Sequence, residues 1–357
     1  MTPERQREPL EPTARAAPPG PTGEAPLLDA SATGTVFHTP HGPLRAVDEV
    51  SLTLAEGETL GIVGESGSGK SVLGRTLMGL ITDGPGTTVS GRVLIGGKDV
   101  HALTPAGRRA LWGTEVAMVF QDPMTSLNPV KKVGTHLSES LRLHLRLSRA
   151  DARDRAVDLL RQVGIPEPVR RAGQYPHELS GGMRQRVVIA MALACGPRLL
   201  IADEPTTALD VTVQKQILDL LRSLAEELRM ATVLISHDLA TVAGRTDRVA
   251  VMYAGRLVEY ADTAAVFDRP RHPYSSALIA SIPRLELPPH TLLPAIEGHP
   301  PDLRHPPAGC RFAPRCALAD ARCTTESPRL TAYAGDRGAG GLVACHHSLG
   351  AAEEAAV

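Results

Sequence analysis

The segment Thr59–Ser71, with the sequence TLGIVGESGSGKS, decides the fold class of this chain. Residues 64–71 match the pattern G-x-x-x-x-G-K-[ST] at every fixed position, between an apolar strand-like run and a helical stretch at 72–80. Glycines there let backbone N–H groups converge on phosphate oxygens at the positive end of a helix. The residues predicted to bind nucleotide phosphates are Gly64, Ser66, Gly67, Ser68, Gly69, Lys70 and Ser71. The Ser71 hydroxyl is also predicted to bind Mg²⁺.

A second motif follows another apolar run. Residues 199–202 are all apolar, as expected for a strand that is buried on both faces of a parallel sheet, and Asp203 and Glu204 come directly after them. Two adjacent acids standing alone are usually a solvated strand end. Beside a phosphate loop, Asp203 is predicted to hold Mg²⁺ through water, and Glu204 to polarise an attacking water as general base.

The pattern along the chain predicts an α/β fold in three parts. Residues 1–29 are rich in proline and poor in branched apolar residues, which predicts a disordered leader. Residues 30–265 alternate strand-like and helical patterns and are interrupted by a mostly helical insertion at about 122–185, which predicts a sheet domain with a helical subdomain. Residues 266–357 are rich in proline and are predicted to form a small Cys-rich C-terminal extension.

Composition argues against several classes of function. The 357 residues carry a formal net charge of -1 and only 3% of them are aromatic, which argues against bulk binding of nucleic acid and against a base-stacking surface. No stretch reaches the ~18–20 uninterrupted apolar residues of a membrane span, and the N-terminus has no apolar signal region. We therefore expect a chain that is soluble by itself and that would need other chains to supply any spanning helices.

Further motifs, in a fixed order along the chain, resemble those of ABC ATPases. The run 179–186, LSGGMRQR, resembles the signature motif of that family, and the match extends over about residues 34–265. The residues that carry the resemblance are Gln121 of the Q-loop, Ser180, Gly181 and Gly182 of the signature, Asp210 of the D-loop at 208–210, and His237 of the switch region. The resemblance implies the ABC nucleotide-binding domain, which is a RecA-like P-loop core with an antiparallel β subdomain and a helical insertion.

The resemblance also implies an active site that two chains share. Ser180 and Gly182 would begin a helix that faces the γ-phosphate of ATP on the opposite subunit. Gln121 would sense Mg²⁺ and water, and His237 would contact the γ-phosphate. In the family, an aromatic residue upstream of the phosphate loop stacks on the adenine ring. By spacing, that position falls near His41 in this chain, so His41 is the predicted adenine contact and departs from the family pattern.

At a finer level, the chain resembles the ATPases of dipeptide, oligopeptide and nickel importers. The features are QDPMTSLNP at 121–129, Met183 in the signature, and HPY at 272–274. Met183 resembles the subunit usually called the D-type. The resemblance implies peptide import, with nickel as an alternative, at the cytoplasmic face of the membrane. It also implies a second related ATPase as heterodimer partner, two transmembrane permease subunits and an extracytoplasmic substrate-binding protein.

Four cysteines lie close together in the C-terminal part, at Cys310, Cys316, Cys323 and Cys345. Their pattern is similar to the C-terminal cysteines of the peptide-importer ATPases. Four thiolates suit a [4Fe–4S] cluster or a Cys₄ zinc site, and unliganded thiols are the third alternative. Spacings of five and six residues are wider than those of zinc ribbons, so we expect a structural iron–sulfur cluster.

Three other functions are kept as hypotheses. A soluble ABC ATPase that acts on nucleic acid or ribosomes usually joins two cassettes or carries large insertions, and this chain has one cassette. An exporter ATPase would have no evident use for the cysteines of the extension. A non-catalytic regulator would lack Lys70 or Glu204, and both are present.

Overall fold

The computed structural model describes residues 25–122, 126–207, 209–283, 292, 294–334 and 340–350. Most of the predicted leader therefore lies outside the described residues. The first strand begins at Leu28, inside the segment that we expected to be leader, so the folded part starts earlier than residue 30.

Strands form two sheets. In chain order they are β1 (Leu28–Thr39), β2 (Gly42–Leu54), β3 (Thr59–Val63), β4 (Thr87–Ile95), β5 (Lys98–Asp99), β6 (Val116–Val119), β7 (Leu199–Asp203), β8 (Ala231–Ser236), β9 (Arg248–Tyr253), β10 (Arg256–Asp262), β11 (Thr331–Tyr333) and β12 (Gly341–Val343). Four of them form an antiparallel sheet in the order β2-β1-β4-β5. The other eight form the core sheet, in the order β11-β12-β10-β9-β3-β8-β7-β6.

The centre of the core sheet is parallel. Strand β3 pairs in parallel with β8 on one side and β9 on the other, and β7 pairs in parallel with β8 and β6. Every residue of β6, β7, β8 and β9 is buried, which explains their continuous apolar sequences. Because parallel strands point the same way, the loops after β3, β6, β7 and β8 meet at one edge of the sheet. The sequence motifs that follow these strands therefore lie together at this edge of the core sheet.

Helices surround the core sheet. They are Lys70–Leu77, Pro105–Leu111, Val133–Leu145, Arg149–Gln162, Pro168–Ala172, Gly181–Leu193, Val211–Leu228, Thr263–Asp268, Pro273–Ala280 and Ala321–Thr325, with 3₁₀ turns at Pro176–Glu178, Leu239–Thr241 and Ala313–Arg315. The predicted helical insertion contains helices and no strand in its described residues. Ser148 caps the helix Arg149–Gln162 by accepting a hydrogen bond from the Asp151 N–H. Among the described helices, none combines the length and the apolar character that a membrane crossing requires.

The C-terminal extension is joined to the core sheet. Strand β12 pairs with β10 through Glu259 opposite Val343 and Tyr260 opposite Leu342, and β11 pairs with β12. Its helix Pro273–Ala280 has the buried Tyr274 as its second residue. The extension therefore continues the sheet domain, whereas its proline-rich sequence suggested a separate unit.

We expect Leu141→Ala to lower the free energy of unfolding by about 2–5 kcal/mol, because Leu141 is fully buried and its loss leaves a cavity. Leu143 lies on the same helix with 75% of its surface exposed, so Leu143→Ala should change that energy by less than about 0.5 kcal/mol. Urea denaturation followed by circular dichroism measures both. Equal midpoints for the two variants would contradict the packing of this helix.

Candidate active site

Glycine is required at both ends of the phosphate loop, because the loop touches two other strands. A Cβ on Gly64 would lie 2.1 Å from the carbonyl oxygen of Met252, and one on Gly69 would lie 2.0 Å from that of Ala46. Both residues also have positive φ, at 151° and 99°. The loop is therefore held between strand β9 of the core sheet and strand β2 of the antiparallel sheet.

Lys70 points back into this loop. Its Nζ donates hydrogen bonds to the carbonyl oxygens of Gly64, at 2.7 Å, and Glu65, at 2.9 Å, and it lies 3.5 Å from Ser68 Oγ. Burial lowers the pKa of Lys70, while the charges of Glu204 and Asp203 act in the opposite direction. A buried cation at the start of a helix is suited to phosphate oxygens, which replace water around it.

Ser71 and Asp203 form a pair suited to a hard cation. The Ser71 hydroxyl donates to Asp203 Oδ1 at 2.7 Å. Asp203 is fully buried, and its Oδ2 has no hydrogen-bond partner among the described residues. Burial raises the pKa of this carboxyl. A buried carboxylate oxygen without a partner beside a hydroxyl is the donor set that Mg²⁺ uses, so these residues fit the predicted ion.

Three side chains converge on one oxygen of Glu204. Its Oε2 lies 3.1 Å from Gln121 Nε2, Thr207 Oγ1 and His237 Nδ1. The backbone of Glu204 has φ of 47°, in the left-handed region, and its N–H donates to the Ile235 carbonyl at 3.0 Å. Gln121, Glu204 and His237, which are distant in sequence, are thus brought together, and their catalytic roles stay a prediction.

Thr207 is the member of this cluster that the sequence did not single out. It lies three residues after Glu204, in a turn whose Thr207 N–H donates to the Glu204 carbonyl. Its hydroxyl donates to Glu204 Oε2 because the turn folds it back. The sequence does place a hydroxyl residue in the short loop after Asp203 and Glu204, and this position could have indicated Thr207.

The signature residues begin a helix, as expected. Ser180 caps the helix Gly181–Leu193 and accepts from the Met183 N–H at 3.3 Å. A Cβ on Gly182 would meet Val213 Cγ1 at 2.8 Å, and Asp210 caps the helix of Val213 by accepting its N–H at 3.0 Å. Of the D-loop, residue 208 lies outside the described residues. Among the hydrogen bonds of the described residues, none joins Ser180 to the phosphate loop of the same chain.

His41 lies in the turn between β1 and β2 and is exposed. Its N–H donates to Thr39 Oγ1 at 3.2 Å. The histidine ring is thus free to meet a ligand from solvent, and its contact with adenine stays a prediction.

The four C-terminal cysteines line one small cavity, together with His272, Phe312 and His347. Cys323 is buried, and burial raises the pKa of Cys345 to about 11. The Cys310 N–H donates to the Cys323 carbonyl at 2.8 Å, which holds two of the cysteine segments together. The four cysteines therefore border the same cavity, and all of them are free thiols.

Two family descriptions match successive parts of the chain. Residues 47–207 match the family described as ABC transporter. Residues 258–323 match the family described as oligopeptide/dipeptide transporter, C-terminal region. The second match begins in strand β10 and takes in three of the four cysteines.

Curated relatives are similar over nearly the whole chain. The dipeptide transport ATP-binding protein DppD of Escherichia coli K12 is 48% identical over 323 residues, which are 90% of this chain and 97% of that protein. The oligopeptide transport ATP-binding protein OppD of Bacillus subtilis is 51% identical over 293 residues, with 82% of each covered. OppD of Haemophilus influenzae is 49% identical over 308 residues, which are 86% of this chain and 94% of that protein.

A solved structure shares the fold. It is an ATP-binding cassette in a dimeric, post-hydrolysis state bound to ADP and phosphate. It is 28% identical, with a TM-score of 0.60, and the alignment covers 66% of this chain and 98% of that one. The α/β fold with its phosphate loop is thereby confirmed as the ABC nucleotide-binding fold.

The predicted iron–sulfur cluster needs correction. The similar proteins are described as transport ATP-binding proteins, with no cluster in their descriptions. Within the described residues, the His, Cys, Asp and Glu side chains close enough to share a metal are Asp320, Cys323 and His347, rather than four thiols. The zinc alternative for the four cysteines has no support from these findings either.

We expect Glu204→Gln to reduce ATP hydrolysis by about 10²–10⁴-fold, because the amide cannot act as a general base. Binding of ATP should persist, since the phosphate loop and Lys70 are unchanged. Phosphate release and fluorescent-nucleotide titration measure the two properties. The control is Glu226→Gln, which alters an exposed glutamate paired with Arg222 and should keep the wild-type rate. Equal loss of binding and hydrolysis in Glu204→Gln would argue against the assigned role.

Proposed function

The chain belongs to the ABC transporter family and is a relative of the dipeptide and oligopeptide transport ATP-binding proteins, and on that premise we propose that it hydrolyses ATP to power the import of di- and oligopeptides. The observation that carries the proposal is the cluster around Glu204 Oε2, beside an intact phosphate loop. A chain that had lost catalysis would not need to hold a carboxylate with three separate side chains.

Nucleotide phosphates would be held by the loop and by Lys70. The loop N–H groups and the Lys70 ammonium neutralise the phosphate oxygens, and Ser71 and Asp203 supply the oxygen ligands for Mg²⁺. When bound, Mg²⁺ neutralises charge on the β- and γ-phosphates. The negative charge of the phosphate oxygens would compensate the desolvation of the buried Lys70 ammonium, which contacts neutral carbonyl oxygens in this structure.

Hydrolysis would use Glu204 and its three partners. Glu204 accepts a hydrogen bond from the attacking water and takes its proton as the water oxygen bonds to the γ-phosphorus. The bond from the γ-phosphorus to the bridging oxygen breaks, and ADP leaves. Gln121, Thr207 and His237 fix the carboxylate, so that its orientation costs little at the moment of reaction.

The signature turn would complete the site of a second ATPase. In this chain the N-terminus of the helix Gly181–Leu193 is capped by Ser180 and packs on the D-loop helix. Its positive end is suited to the γ-phosphate of ATP on a facing subunit. We therefore propose a dimer with a related ATPase in which each chain supplies the signature for the other's phosphate loop.

A groove beside Gln121 would transmit conformational changes at the ATP site to the permeases. Phe120, with 38% of its surface exposed, lines this groove together with Met118 and with Met191 of the signature helix. Gln121 contacts Glu204 on one side and leads into the helical insertion on the other. The complex would then contain two permease subunits and an extracytoplasmic binding protein, with this chain at the cytoplasmic face of the membrane.

We expect ATPase activity in membranes that also contain the neighbouring permease and ATPase gene products to rise when peptide-loaded binding protein is added. The rise should vanish with Glu204→Gln, because stimulation acts through this site. Steady-state phosphate release measures it, with unloaded binding protein as the control.

Other outcomes would redirect the assignment. Stimulation by a nickel-loaded binding protein alone would assign nickel as the solute. Full activity of the isolated chain, with no recruitment of permeases, would contradict the importer proposal and favour a soluble ABC ATPase.

A further inference from the structure

Arg315 of the C-terminal extension contacts the phosphate loop directly. Arg315 Nη1 donates to Glu65 Oε2 at 2.7 Å, and Arg315 Nη2 donates to Glu65 Oε1 at 3.0 Å. This is a bidentate pair between residues 250 positions apart in sequence. The Arg315 side chain is 5% exposed and that of Glu65 is 25% exposed, so the pair is largely shielded from solvent.

Arg315 is fixed from its other side. Its Nε donates to the Glu297 carbonyl at 2.9 Å, and its Nη2 to the Ile296 carbonyl at 3.1 Å. Its Nη1 also lies 3.2 Å from Tyr253 Oη, at the end of β9. Because the guanidinium is already oriented by these contacts, little side-chain freedom is lost when it binds Glu65.

Glu65 is also held through its backbone by the extension. Its N–H donates to Tyr274 Oη at 2.8 Å. Tyr274 is fully buried, with its ring edge-on to Tyr253 at 4.7 Å between centroids. The turn before it is fixed by the buried Glu259 carboxylate, which accepts the backbone N–H groups of residues 271 and 272.

The third polar group of Glu65 leads to the phosphate-binding lysine. Its carbonyl oxygen accepts from Lys70 Nζ at 2.9 Å. Glu65 is therefore connected through its carboxylate to Arg315, through its N–H to Tyr274 and through its carbonyl to Lys70. Its conformation links the extension with the group that contacts ATP.

We propose that Arg315 is a positioning residue for ATP binding: by clamping Glu65 it keeps the phosphate loop in the conformation that accepts nucleotide. The inference rests on ATP binding at this loop and is independent of which solute is transported. When only a fraction of molecules has a competent loop, the apparent affinity falls by that fraction. At saturating ATP the bound nucleotide restores the loop, so the loss belongs in KM and not in kcat.

The test compares ATPase kinetics of variants in the assembled transporter. We expect Arg315→Ala to raise KM for ATP by about fivefold or more, because the variant loses a charge-assisted hydrogen-bonded pair that solvent screens only in part. The kcat should stay within about twofold of wild type. Arg315→Lys should give an intermediate KM, because an ammonium is not bidentate. Arg304→Ala is the matched control, since Arg304 pairs with Asp302 at the surface of the same extension, and its KM should stay within about twofold of wild type.

Glu65→Gln separates positioning from a purely structural role, because it leaves every other contact of Arg315 in place. It should raise KM like Arg315→Ala, and the double variant should raise KM no further than either single one. If Arg315→Ala fails to assemble, Arg315→Lys takes its place in the comparison of single and double variants.

An unchanged KM in Glu65→Gln, or effects that multiply in the double variant, would overturn the inference. So would a fall in melting temperature and kcat with KM unaltered. Wild-type complex without ATPase activity would instead refute the proposed function, so the two failures are distinguishable.

Discussion

The close approach of the phosphate loop to two neighbouring backbones governs the rest of the molecule. Only a residue without Cβ fits where Gly64 meets Met252 and where Gly69 meets Ala46. These contacts attach strand β9 of the core sheet and strand β2 of the antiparallel sheet to the same loop. Both sheets are therefore anchored at the point where nucleotide phosphates would lie, and a shift of either is transmitted to the binding groups.

The adjacent acids Asp203 and Glu204 show how one strand end serves two tasks. Asp203 is the last residue of β7 and remains inside the sheet, where burial favours its protonated form unless a cation is near. Glu204 turns into the left-handed region and reaches the residues that follow β6 and β8. This backbone conformation is unfavourable for a side chain with Cβ, and such strain is typical of catalytic positions.

The sequence predicts those parts of the site that follow strands. Buried parallel strands have continuous apolar sequences, and their ends meet at one edge, so Lys70, Asp203 and His237 are found without coordinates. Contacts that depend on distant, irregular segments are not predictable in this way. Arg315 lies in a proline-rich stretch with no periodicity, and nothing local connects it with Glu65. Strands β11 and β12 have three residues each, too few for an alternating pattern to be recognised.

The pairing of β12 with β10 also bears on solubility. Without β12, the outer side of β10 would present unpaired N–H and C=O groups along a strand whose residues are mostly buried, and another chain could add to it. The strand now at that edge, β11, is short and partly exposed, which makes it a poor template for such growth. The extension thereby acts as a cover for the sheet, and a cassette shortened to residue 265 would carry an aggregation-prone edge.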